Sequence, residues 1–147
     1  MSKGLIDGKH AGILTTVDGH GHPHARWMAT LAFDDFPYIY TLTSSTSRKL
    51  SHIANQPTVA WMFSSEDLGV VLNLAGPADI VVNLHEQKRI WEMVSDKSHA
   101  YFLKQFGSGS EYTVLKTTVR QIECCIPEKN AHWQIDVQSF LDLARES

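Results

Sequence analysis

Residues 11–28 read AGILTTVDGHGHPHARWM, and how this stretch is divided sets the fold. AGILTTV, residues 11–17, is a short β-branched run that ends on Asp18-Gly19, a dipeptide that favours tight turns, so a strand enters here. HGHPH, residues 20–24, is a link bearing glycine and proline. Residues 25–33, ARWMATLAF, and residues 38–43, YIYTLT, are again rich in aromatic and β-branched side chains, with DDFP as the turn between them. The expectation is a meander of three strands.

Beyond the meander the period changes. Leu50, Ile53 and Ala54 line one face of a short helix over residues 46–55, and Pro57 forbids its continuation. TVAWMF (58–63) and LGVVLNLAGPADIVV (68–82) return to strand character, and Gly76-Pro77 inside the second run argues for a bulge or bend. Asn83 with Glu86 resembles a capping box, and Ile90, Trp91 and Val94 mark the apolar face of the helix that follows. Ser95-Asp96 interrupts it, a second helical pattern carries Phe102, Leu103 and Phe106, and GSGS (107–110) breaks that. EYTVLKTTVRQIECCI (111–126) is too long and too β-branched for a helix and reads as one long strand, while VQSFLDLARE is a terminal helix. About six strands against two or three helices, without regular alternation, make the chain mainly β (α+β): an antiparallel barrel or sheet with flanking helices.

Composition narrows the function classes. At 147 residues and 43 % apolar content the chain makes one domain, residues 1–147, with a single core. Its formal charge of -3, from 13 cations and 16 anions, leaves no electrostatic footprint for nucleic acid, so any bound anion is held by a local cluster. No window approaches a secretory segment or the roughly 20 apolar residues of a membrane span, so a soluble, cytoplasmic protein is expected. Cys124 and Cys125 are adjacent, point to opposite faces of a strand and read as reduced core or interface residues.

TSSTSRKL, residues 43–50, is the first candidate for chemistry. A strand ending at Thr43 and a helix beginning near Ser47 leave unpaired backbone N–H groups that favour a phosphate, with Arg48 and Lys49 to supply charge. The competing reading is an ordinary N-cap with solvated cations, although cations in a first turn oppose the helix dipole. Arg26 is the second candidate, because an arginine inside the apolar strand RWMATLAF needs a partner: a phosphate, or a carboxylate such as Asp34 or Asp35. His20, His22 and His24 alternate, yet no cysteine or spaced carboxylate completes a metal set, and none is assigned. GxSxG, P-loop and dinucleotide fingerprints are absent, so no catalytic nucleophile, acid or base is named. Trp61, Trp91 and Trp133 read first as packing; Trp133, in AHWQID, lies where a partner subunit could meet the chain.

Taken in order, AGILTTVDGHGHPHARWM, TSSTSRKL with IANQPTVAWMF, and VVLNLAGPADIV resemble the FMN-binding split-barrel family of pyridoxamine 5'-phosphate oxidase-like proteins, above all its general stress protein subgroup. That resemblance covers residues 10–82 most closely. It implies a six-stranded antiparallel split β-barrel and a homodimer with an FMN groove shared by both subunits. Arg26, Thr43, Ser47, Arg48 and Lys49 then correspond to phosphate ligands, Trp27 and Met28 lie along the flavin ring, and Trp133 is the match to a C-terminal residue that covers the flavin from the partner chain. The implied function is a flavoprotein oxidoreductase acting on a small molecule. Leu31 stands where the true oxidases carry lysine, Val71 where they carry a polar flavin ligand, and their longer C-terminal region is missing, so pyridoxamine phosphate is not the expected substrate. Rival readings are a haem-binding split barrel, a non-enzymatic flavin-binding or stress-related module, and a relative using deazaflavin F420.

Overall fold

In the computed structural model, residues 11–30, 37–96 and 112–146 are described. The opening hairpin forms as its sequence dictates: β1 (Gly12–Val17) pairs antiparallel with β2 (Pro23–Met28). Asp18 closes the turn by accepting the amides of His20 and His22 at 2.8 and 2.9 Å, and Gly21 takes φ 82°, a conformation that suits glycine. β2 therefore begins at Pro23, inside the HGHPH link, and ends at Met28, well before Phe33.

The meander stops there. β3 (Tyr38–Ser44) pairs with β6 (Tyr112–Thr118) and not with β2. The path is β2-β1-β4-β5-β6-β3, with β4 (Thr58–Ser64) and β5 (Val71–Ile80) at its centre. β2 and β3 are its two ends, and the Thr41 hydroxyl donates to the carbonyl of Ala29 just past β2, a side-chain link between those ends (2.6 Å). Local patterning located these strands, but which strands pair is decided by long-range burial.

The run at 111–126 is two strands, not one: β6 and β7 (Gln121–Ile126) are separated at Val119-Arg120. Gly76 explains the break. β5 pairs with β7 through Ala75 and with β6 from Ala78, so its partner changes across Gly76-Pro77. A Cβ at Gly76 would sit 1.9 Å from the Thr118 carbonyl oxygen, so the crossing backbone lies directly on the glycine. The Arg120 amide donates to Ala75 O at 2.9 Å, and Pro77, with no N–H to offer, occupies the gap between partners. The bend read from sequence is thus the fork at which the barrel splits.

β7 continues into β8 (Ala131–Ile135), a strand that the sequence reading left unassigned, through a single 3-10 turn at Pro127–Lys129 and Asn130 in the left-handed region. Eight strands are therefore seen among the described residues, six along the path and two in this added hairpin. α1 (Arg48–Asn55) follows β3, α2 (Leu84–Asp96) is capped by Asn83 Oδ1 on the Glu86 amide at 2.9 Å, and α3 (Val137–Glu146) by Asp136 on the amides of Gln138 and Ser139. The second helical pattern and the GSGS break lie outside the described residues. Among the described residues, no helix is long and apolar enough to cross a membrane.

One core binds these elements, with Leu14, Trp61, Phe63, Leu72, Leu74, Leu115 and Ile122 almost fully buried. Trp61 stacks on Phe63 and donates its indole N–H to Thr117 Oγ1 at 3.0 Å, so its polar atom is satisfied inside the barrel. Cys124 joins this core and Cys125 faces the other way.

Candidate functional site

Register on the first hairpin creates the site. Leu14 lies opposite Arg26 and Thr16 opposite His24, and strand alternation puts His24, Arg26 and Met28 on the inward face of β2. Arg26 Nη1 donates to Leu14 O at 3.2 Å and to Thr16 Oγ1 at 2.9 Å. A guanidinium carries five N–H groups, so its Nη2 and Nε edge keeps three that no acceptor among the described residues takes.

The second half comes from the start of α1. Ser47 is the N-cap, extended at φ -65° and ψ 139°, and its hydroxyl accepts from the Lys49 amide at 3.4 Å. Lys49 Nζ turns back and donates to Thr43 Oγ1 and Ser47 Oγ, both at 2.7 Å. Thr43 is buried at the end of β3, Lys49 is half-buried and Arg48 is exposed. The first turn of α1 holds no acid, so two cations stand where the helix dipole opposes them.

Electrostatics join the halves. Burial lowers the pKa of the Arg26 guanidinium below its ordinary value, and the Arg48 charge adds to this. Burial likewise lowers that of Lys49, with a further push from Arg26. Among the described residues Arg26 and Lys49 touch only neutral oxygens, and no carboxylate reaches Arg26, Arg48 or Lys49 at ion-pair distance. Arg26 and Lys49 are partly desolvated cations with spare donors and, among the described residues, no counter-ion, which is a composition suited to an anion. Asp34 and Asp35, the carboxylates considered for Arg26, lie outside the described residues, as does Leu31.

Not every candidate converges. Arg26, Thr43, Ser47, Arg48 and Lys49 come together; Met28 shares the face of Arg26 and packs on the core. Trp27 is on the opposite face, 68 % exposed. Trp133 lies on β8, with β1, β4, β5 and β7 between it and β2 in the sheet. Val71 begins β5 opposite Ser64 and Cys125.

Two residues that sequence reasoning passed over join the site. Thr16 is fully buried, and its hydroxyl lies 2.9 Å from Nδ1 of buried His52 on α1. His24 packs on His52 with ring centroids 4.8 Å apart and meets Asp18 Oδ2 through Nε2 at 2.8 Å. The contact with His24, helped by the His22 and His20 amides, holds the Asp18 carboxyl far below the usual carboxylate range. Among the described residues no three His, Cys, Asp or Glu side chains gather as a metal set.

The profile of the family described as pyridoxamine 5'-phosphate oxidase matches residues 2–125. General stress protein 26 from Bacillus anthracis shares the fold at 22 % identity and TM-score 0.67, covering 91 % of this chain and 97 % of its own. A pyridoxamine 5'-phosphate oxidase-related, FMN binding protein from Nostoc punctiforme does so at 14 % identity and TM-score 0.64, covering 92 % and 90 %. A heme binding protein from Mycobacterium smegmatis reaches TM-score 0.71 at 14 % identity, covering 95 % of this chain and 57 % of its own. No curated protein matches the chain.

Proposed function

The chain belongs to the pyridoxamine 5'-phosphate oxidase family, and on that premise we propose that it is a homodimeric FMN-binding oxidoreductase acting on a small molecule other than pyridoxamine phosphate. The observation that carries this reading is the cluster of Arg26, Arg48 and Lys49, with its spare donors, its hydroxyls at Thr43 and Ser47 and no carboxylate partner among the described residues. A phosphate monoester near neutral pH carries close to two negative charges and three acceptor oxygens, which suits such a cluster. Arg26 offers its Nη2 and Nε edge, Lys49 its remaining ammonium hydrogen, and Arg48 an exposed guanidinium at the rim.

FMN, when bound, supplies hydride transfer; the chain supplies anchorage, orientation and shielding from water. Met28 continues the inward face beyond Arg26, toward the ring side of a flavin whose phosphate Arg26 holds. Trp27 belongs to the outer face instead. There it heads a register row of Trp27, Ile13, Met62, Asn73, Glu123 and Gln134 across six strands, in which Trp27 and Met62 are exposed at 68 % and 42 %. Large apolar groups on a sheet face suit a second subunit. Trp133, 43 % exposed on a strand with four others between it and that of Arg26, suits a role in covering the flavin held by the partner chain.

The test is the absorption spectrum of the purified protein with mass spectrometry of what denaturation releases. Flavin bands with released FMN are expected. A Soret band without flavin would replace FMN by haem, the ligand named for the mycobacterial neighbour, and released F420 would replace it by a deazaflavin. Bound FMN that no nicotinamide donor reduces would mark a binding module in place of an enzyme.

A further inference from the structure

Thr16 joins two groups of opposite hydrogen-bonding need. Arg26 can only donate, so the 2.9 Å contact with Nη1 makes Thr16 Oγ1 an acceptor. The hydroxyl hydrogen is then available to His52 Nδ1, also at 2.9 Å, and we assign the Nε2–H tautomer, in which Nδ1 accepts it. The chain of donation runs Arg26 to Thr16 to His52, through a fully buried hydroxyl that cannot turn to water. With Nη1 held on Thr16 Oγ1 and Leu14 O, the other edge of the guanidinium is fixed in direction.

We propose that neutral His52 is a positioning residue for the anion site: through Thr16 it orients Arg26, and its protonation weakens phosphate binding. This rests on the reading of the cluster as a phosphate site. Protonated Nδ1 can no longer accept from Thr16 and becomes a donor that competes with Arg26 for Thr16 Oγ1, and the new cation stands beside Arg26. The groups facing His52 are Thr16 on β1, Asp18 in the turn, His24 and Arg26 on β2, and Arg48 on its own helix. Of these, Asp18 favours the protonated ring, while burial, His24, Arg26 and Arg48 oppose it, and the balance is a pKa below the ordinary histidine value.

The test is titration of the apoprotein with FMN and, separately, riboflavin, from about pH 8 down to the lowest pH at which the fold persists, for wild type and for His52→Asn, whose amide oxygen can accept from Thr16 without titrating. The FMN phosphate titrates near pH 6 in both proteins, so only the difference between their profiles belongs to His52. In wild type the preference for FMN over riboflavin should fall about tenfold more across this range than in His52→Asn. Thr16→Val, which cuts the chain at its middle, should lower the preference at pH 8 by about the same factor, while Thr16→Ser keeps it. Parallel profiles for wild type and His52→Asn would overturn the role of His52 while leaving the phosphate site intact. No preference for FMN over riboflavin in wild type at pH 8 would instead overturn the phosphate site itself, and the proposal with it.

Discussion

At the scale of single residues, Ser47 carries two duties, capping α1 and holding Lys49. Ser47→Ala should cost about 1 kcal/mol in urea unfolding, and the FMN complex should lose more than the apoprotein does, because Lys49 then keeps only Thr43 as an anchor. His52 makes a pH prediction. Its pKa is lowered in the folded chain, so its neutral state stabilises the fold fully above the unfolded value of about 6.5 and progressively less as pH falls through the folded value. The melting temperature of apoprotein should drop below about pH 6.5, and less steeply in His52→Asn. Arg26 was legible in the sequence, because a cation inside an apolar strand demands a partner. Thr16 and His52 were not: a threonine in a β-branched run looks like ordinary strand chemistry, and only the register against β2 and the packing of α1 bring it to the histidine.

At the scale of elements, the fork at Gly76 sets where the barrel ends and the β7–β8 hairpin begins. Gly76→Ala places a methyl against the Thr118 carbonyl, backbone that cannot step aside without breaking the Arg120 to Ala75 bond. It should destabilise the chain by about 3 kcal/mol or more in denaturant unfolding, whereas Gly19→Ala, where nothing lies within 4 Å, should cost far less. Gly76-Pro77 announced a bend in the sequence, but not that two partner strands meet there, since pairing is a property of distant segments. AHWQI escaped notice for a different reason: it alternates apolar and polar side chains as a strand does, but it is only five residues long, follows directly on a 3-10 turn, and pairs only with β7. The supposed third strand of the meander was a strand, placed beside β6 by the burial of Ile39 in a core that its neighbours in sequence do not supply.

At the scale of the molecule, the exposed face headed by Trp27 suits the proposed second copy. Light scattering should give twice the 16.5 kDa of one chain, and Trp27→Glu should shift the protein toward monomer and weaken FMN with it; a monomeric wild type would count against a shared groove. The central claim is that a flavin phosphate rests on Arg26 and Lys49. The most direct measurement is the affinity of Arg26→Gln/Lys49→Gln for FMN and for riboflavin, which has no phosphate, by quenching of flavin fluorescence. Loss of two charge-assisted contacts should weaken FMN on the order of a hundredfold and leave riboflavin within about twofold; equal weakening of both would contradict the assignment.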